Sequence, residues 1–332
     1  MSLVRLPKLI LETPSKTIPR FLESCKPLLS AQQFQATESI ANIFLKSTSS
    51  VLQERLLQLN NSETSWLENI WLEKNYLSTR SPLPVNCNFW VCFNDHPKHD
   101  RLIVKKTPPP GVYTDFQVSR AACIVSNLLD FKDMIHQLPQ DYQNDSPLCM
   151  SQYNSIFGSS RVPGVEIDTI TKNPNSNHII ILLKNQIYKL DTLSSDGSRV
   201  PLKELERQIY AACRDSLSSQ SEPPINFFTA GERLEWAKAY QLLSRDDLNQ
   251  SNLKDIQDSA FILCLDDHAQ TQKSDKTHRQ YFHNENGSNR WFDKPLSIIV
   301  ASNGRAGANC EHSLIDASVV SNILDYCIER YF

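Results

Sequence analysis

The stretch KPLSIIVASNGRAGANCEHSLIDASVV, residues 294–320, reads as strand, turn, strand and helix in immediate succession. Leu296, Ile298, Ile299 and Val300 form an apolar run of strand length, and Asn303-Gly304 supplies the turn. GANCEH reads as a second strand that brings the chain to His312. Beyond it, LIDASVVSNILDYCIERYF puts Val319, Ile323, Tyr326 and Cys327 on one side of a helix. His312 therefore stands at a strand-to-helix junction. Such junctions set side chains at a sheet edge, where clefts form.

Upstream, HIIILLKNQIYKLD (residues 178–191) is the clearest strand signal, β-branched and apolar, with a hairpin break at Lys184-Asn185. LKELERQIYAACRDSL is an amphipathic helix. GERLEWAKAYQLLSRD and LNQSNLKDIQDSAFILCLDD read as two helices or a helix and a strand. Residues 117–137 read as helix, and GSSRVPG as a turn after a short helix that lacks the spacing of a phosphate cradle. Residues 268–289 are polar and expected to be flexible.

Nearer the start, residues 1–20 read as an extended arm and residues 19–80 as helical. Ser30 is placed to cap a helix in which Phe34, Ile40, Ile43 and Phe44 share a face, and Leu52, Leu56 and Leu59 follow at helical spacing. Trp66, Ile70 and Trp71 are assigned to core packing. Residues 81–115 read as irregular, with a TPPPG loop, and Lys105 and Lys106 as a solvated pair. Helices first and alternating strands and helices after them predict an α/β or α+β fold.

At 332 residues the chain can bury a sizeable core. A net charge of −3 gives no bulk attraction to nucleic acid or anionic membrane. No apolar run approaches the ~20 residues of a membrane span. The N-terminal residues make a poor signal peptide, and the last five, IERYF, are no peroxisomal tripeptide. The nine cysteines contain no Cys-x-x-Cys pair, so reduced thiols are expected and neither a disulfide framework nor a zinc site. His96 and His99 have metal-compatible spacing, but no acid or thiol cluster completes a coordination sphere, and no metal is assigned.

Imidazole takes a proton near neutral pH, which suits His312 to act as a general base on a hydroxyl or thiol. Spacing alone equally allows a structural hydrogen-bonder. Asp316 lies four residues on, within reach of the same site.

The segment from Arg290 to Ala317 resembles the signature of the choline/carnitine acyltransferase family. That signature runs through Arg290, Trp291, Asp293, Lys294, Ile298, Ile299, Asn303, Gly304, Glu311, His312, Asp316 and Ala317, and every position is filled. RFLESCKPLLSAQQFQATE, PLCMSQYNSIFGSSRVPGVEIDTI and ERLEWAKAYQLL resemble further family blocks, so the likeness covers nearly the whole chain. A Leu-Pro-x-Leu-Pro-x-Pro run of the family is kept only in part in LPKLILETPSKTIP.

The resemblance implies a chloramphenicol acetyltransferase-like α/β domain over residues 86–332, with an N-terminal arm and helices over 1–85 that pack on a second domain absent from this sequence. It implies transfer of an acyl group between coenzyme A and carnitine, with His312 as general base and Asp316 as a structural support held by an arginine. Acyl-coenzyme A and carnitine are then substrates, and no cofactor is bound permanently. The text NCEHSLIDASVV is similar to peroxisomal octanoyltransferases of the family, which implies a medium-chain acyl group and a peroxisomal location. Acetyl transfer to carnitine or choline, and a mitochondrial or cytoplasmic location, are the alternatives. A catalytically silent short form acting as a binding module is the other reading.

Overall fold

The computed structural model describes residues 6–95, 107–220, 222–270, 282–284 and 287–330. They form two compact units, Met1–Trp71 with Gln140–Cys149, and Leu72–Pro139 with Met150–Phe332. His96, His99, Lys105, Lys106 and most of the polar 268–289 stretch lie outside the described residues.

The smaller unit is helical: α1 (Pro14–Cys25), α2 (Ala31–Lys46), α3 (Ser49–Ser62) and a last turn, α4 (Glu68–Trp71). Ser30 caps α2 with its hydroxyl on the Gln33 N–H, and the Gln33 side chain reaches back to the Ser30 N–H. Two otherwise orphaned donors are thereby satisfied. The expected apolar faces are not buried. Ile40 and Ile43 are 68% and 66% exposed, and Ile70 and Trp71 are exposed as well. α1 and α3 pack on α2, yet they bury only Ala41 and half-bury Phe34 and Phe44, leaving Ile40 and Ile43 outside.

The larger unit starts earlier than residue 86. The Leu77 carbonyl accepts the Asp168 N–H at 3.0 Å, Arg80 pairs with Asp168 at 2.9 Å, and Leu83 is fully buried. Residues 72–85 are thus tied to the sheet domain, and the division falls after Trp71.

That domain is built on a six-stranded sheet of β1 (Phe89–Cys92), β6 (His178–Leu183), β7 (Gln186–Asp191), β8 (Ile262–Leu265), β9 (Ser297–Val300) and β10 (Ala306–Cys310). The order is β1-β10-β9-β8-β6-β7. β6, β8 and β9 run parallel, and β7, β10 and β1 are antiparallel to their neighbours. Two small pairs stand apart: β2 (Tyr142–Gln143) with β3 (Ser146–Pro147), and β4 (Ser159–Val162) with β5 (Thr169–Lys172).

The unbroken apolar runs follow from burial on both faces of the sheet. Ile179, Ile181, Leu183, Leu263, Leu265, Ile298 and Val300 enter one core, with α5 (Leu83–Asn86) outside it and α6 (Asp115–Met134), α7 (Leu202–Ser218) and α10 (Ala317–Glu329) contributing to it. Ile180, Leu182, Ile262, Cys264 and Ile299 enter a second core with α8 (Arg233–Leu243) and α9 (Asp247–Asp258). The result is a mixed α/β sandwich of helix, sheet and helix.

The hairpin falls where the sequence places it. Lys184 and Asn185 both take positive φ, 48° and 66°, the two left-handed residues of a type I′ turn. Gly304 (φ +79°) closes the β9–β10 turn, where a Cβ would lie 2.2 Å from the Phe116 ring.

Residues 14–20, expected in an extended arm, are the first turns of α1. Three readings change in the larger unit. FWVC, expected to be irregular, is β1, drawn into the sheet by antiparallel pairing with β10. GSSRVPG is no simple turn, because Ser159–Val162 pair with Thr169–Lys172 as a β-ribbon. Within the polar stretch, Phe282 is fully buried and stacks on Trp90 at 4.7 Å.

Candidate active site

Pairing of β10 with β1 on one side and β9 on the other fixes where the chain leaves the sheet. His312 stands two residues past that exit, in a turn rather than at a strand end. Its Nδ1 lies 2.9 Å from the carbonyl oxygen of Ile315. A carbonyl only accepts, so Nδ1 carries the proton and the neutral ring presents Nε2 as a lone pair. Among the described residues Nε2 makes no hydrogen bond. The ring rests between Phe89, edge-on at 4.9 Å, and Tyr76 at 5.7 Å. The side chain keeps 31% exposure, enough for a reacting group to reach it.

Asp316 lies just before α10. Its Oδ1 is 3.6 Å from His312 Nδ1, too far for a good hydrogen bond. Its Oδ2 accepts from Gln152 Nε2 at 2.8 Å, and its N–H donates to Gln152 Oε1 at 2.8 Å. Among the described residues, the group that holds Asp316 is the Gln152 side-chain amide.

The other polar signature residues are buried and paired. Glu311 is fully buried, with Oε1 3.0 Å from Arg161 Nη1, and it also accepts from the Cys87 thiol at 3.3 Å. Burial and the nearby Glu311 carboxylate push the Cys87 thiol up to about 12, so it is no nucleophile. Asp293 accepts from Arg233 Nη1 at 2.6 Å and from Trp236 Nε1 at 2.7 Å. Burial wins over these donors and holds the Asp293 carboxyl above its usual range. Asp168 takes Arg161 at 2.7 Å and Arg233 at 2.8 Å. Burial works against its charge, but Arg233 and Arg161 outweigh that and keep the carboxyl below the usual range. Arg290 pairs in a fork with Asp266 at 2.8 and 2.7 Å.

Lys294 is fully buried, its Nζ on the carbonyls of Gln257 at 2.8 Å and Ser259 at 2.6 Å. Burial pulls its pKa down to about 7.

Arg80, Arg161, Asp168 and Arg233 were not singled out in the sequence. They are scattered from residue 80 to 233, and only the fold assembles them. The weak signal available was an arginine, Arg161, inside a run of small residues. Among the described residues no group of three or more His, Cys, Asp or Glu side chains is arranged to hold a metal, and all nine cysteines are free. No described helix is long and apolar enough to cross a membrane.

The turn after β10 thus holds His312 with its Nδ1 on a backbone carbonyl and its side chain partly exposed. The Choline/Carnitine o-acyltransferase family profile matches residues 11–332, and the chain belongs to that family. It is 31% identical to carnitine O-acetyltransferase of Homo sapiens over 98% of this chain and 52% of that protein. It is likewise 31% identical to choline O-acetyltransferase of Rattus norvegicus and 29% identical to that of Danio rerio, at the same coverage. The chain spans about half the length of these relatives.

Proposed function

We propose that this chain carries the general base of an acyltransferase that moves an acyl group reversibly between coenzyme A and carnitine. The observation that carries this is the Nδ1–H···O=C bond from His312 to Ile315, which leaves Nε2 free and accessible. Nε2 takes the proton of the carnitine hydroxyl as its oxygen attacks the thioester carbonyl. The C–S bond then breaks, and the imidazolium returns the proton to the departing thiolate. In reverse, the same nitrogen deprotonates the coenzyme A thiol. Neither an alcohol nor a thiol is fully ionised at neutral pH, so both gain from a positioned base.

Carnitine as acceptor is supported by the carnitine acetyltransferases among the relatives, while the choline acetyltransferases set the alternative. NCEHSLIDASVV supports a medium-chain acyl group, and with it a peroxisomal location, tested by fluorescence microscopy of the tagged protein. The oxyanion donors and the clamps for coenzyme A and carnitine are assigned to the other half of the relatives' length. The test is a thiol-release assay on this chain joined to a second half from a relative, with acetyl- and octanoyl-coenzyme A each offered to carnitine and choline. Octanoyl transfer to carnitine in excess is expected. Preferred acetyl transfer, or choline as the better acceptor, overturns the specificity, and no turnover with any pair overturns the reaction.

A further inference from the structure

We infer that Arg161 is a positioning residue for His312, holding the imidazole from two sides at once; the inference rests on His312 being the base. Arg161 lies on β4 with its side chain wholly buried. Its three nitrogens do three different jobs. Nε donates to Asp168 Oδ2 at 2.7 Å, Nη1 to Glu311 Oε1 at 3.0 Å, and Nη2 to the Tyr76 carbonyl at 2.7 Å.

Two of these partners are immediate neighbours of the base. Glu311 precedes His312 in the chain, and its other oxygen, Oε2, accepts from Ser313 Oγ at 2.5 Å and Ser313 N at 3.2 Å. One carboxylate thus ties the residues on both sides of His312, and Arg161 fixes that carboxylate. Tyr76 packs its ring against the imidazole, and Arg161 fixes the backbone that carries that ring. The peptide bearing the imidazole and a wall it leans on therefore share one guanidinium. Arg161 is itself immobile, because Asp168 is also held by Arg80 at 2.9 Å and Arg233 at 2.8 Å.

A planar fork with several donors can span these partners, and a lysine ammonium on a flexible stem cannot reproduce it. Arg161→Lys keeps the charge and loses the geometry. A merely structural ion pair would tolerate that with little effect on His312. A positioning residue would not, since a displacement of about 1 Å costs on the order of 10²-fold in rate.

The experiment reads the ring directly. Long-range ¹H–¹⁵N correlation on the 332-residue chain, at a pH where the ring is neutral, reports which nitrogen of His312 holds the proton. The native chain should show Nδ1–H alone. Arg161→Lys should show a mixture with Nε2–H. Ser313→Ala, at a partly exposed site, breaks the same link at its outer end without threatening the fold and should give a smaller admixture. In the chain joined to a relative's second half, Arg161→Lys should lower kcat by about 10²-fold and change KM little.

A folded Arg161→Lys with native tautomer and native kcat overturns the inference. If that variant does not fold, an unchanged tautomer in Ser313→Ala overturns it. A tautomer shift in a protein that transfers no acyl group supports the positioning and refutes the acyltransferase reading. Acyl transfer that needs His312 but ignores Arg161→Lys refutes the positioning alone.

Discussion

His312 gives its Nδ1 proton to the carbonyl of Ile315, 2.9 Å away, while Asp316 Oδ1 stands at 3.6 Å. The backbone, not the carboxylate, therefore sets the tautomer. The usual partner of a catalytic imidazole is a buried acid that both orients it and stabilises its cation. Asp316 is 58% exposed by side chain and bonded to Gln152, so it is poorly placed for either task.

From this, Asp316→Asn should be a mild change. An exposed charge at that distance contributes roughly 0.2–1 kcal/mol, so kcat at saturating substrate should fall no more than about fivefold. Steady-state kinetics on the chain joined to a relative's second half checks this. A loss equal to that of His312→Ala, with the fold intact, would mean Asp316 takes part in the chemistry.

Asp293→Ala should destabilise the fold. It leaves Arg233 Nη1 and the indole N–H of Trp236 without their acceptor, while Arg233 Nε keeps Asp168. Breaking a buried pair from one side typically costs ~3–5 kcal/mol. Lys238→Ala, which opens an exposed pair with Glu235, should cost under ~1 kcal/mol. Urea midpoints of the two variants give the comparison, and equal midpoints would contradict the buried network.

Lys294 makes stability depend on pH. Its folded pKa of about 7 lies below the ordinary 10.5. Between those values the unfolded chain binds a proton that the folded chain lacks, so raising pH favours folding. Below about 7 the full cost of burying the charge applies. The slope approaches ~1.4 kcal/mol per pH unit within the window. Lys294→Met should flatten the rise in urea stability between pH 7.5 and 8.5 by about 1 kcal/mol relative to the native chain. Parallel slopes would show that Lys294 stays charged when buried.

Much of the sheet is legible because its strands carry local signals. Residues 178–191 and 294–310 show apolar runs, and Asn185 and Gly304 mark their turns. β1 is not legible, since a four-residue FWVC becomes a strand only through its partner β10. The faces of α2 and α4 mislead because spacing reports alignment and not what lies opposite. His312 stands out through its motif. Arg161 does not, because its partners Tyr76, Asp168 and Glu311 are far apart along the chain and meet only in the fold.

The 332-residue chain alone should bind acyl-coenzyme A weakly and turn over none of it, since it covers 52% of the relatives' length. Ile40, Ile43 and Trp71 are exposed, so it should also self-associate. Thiol release measured beside size-exclusion chromatography checks both. Robust turnover by a monomer would contradict the division of the site between two halves.

The most direct measurement is acyl transfer by the chain joined to a relative's second half, native against His312→Ala and His312→Gln. A base working through Nε2 predicts a loss of ~10²–10⁴-fold in kcat, with both variants folded. Retention of more than about a tenth of the native rate would contradict the role of His312 as the base.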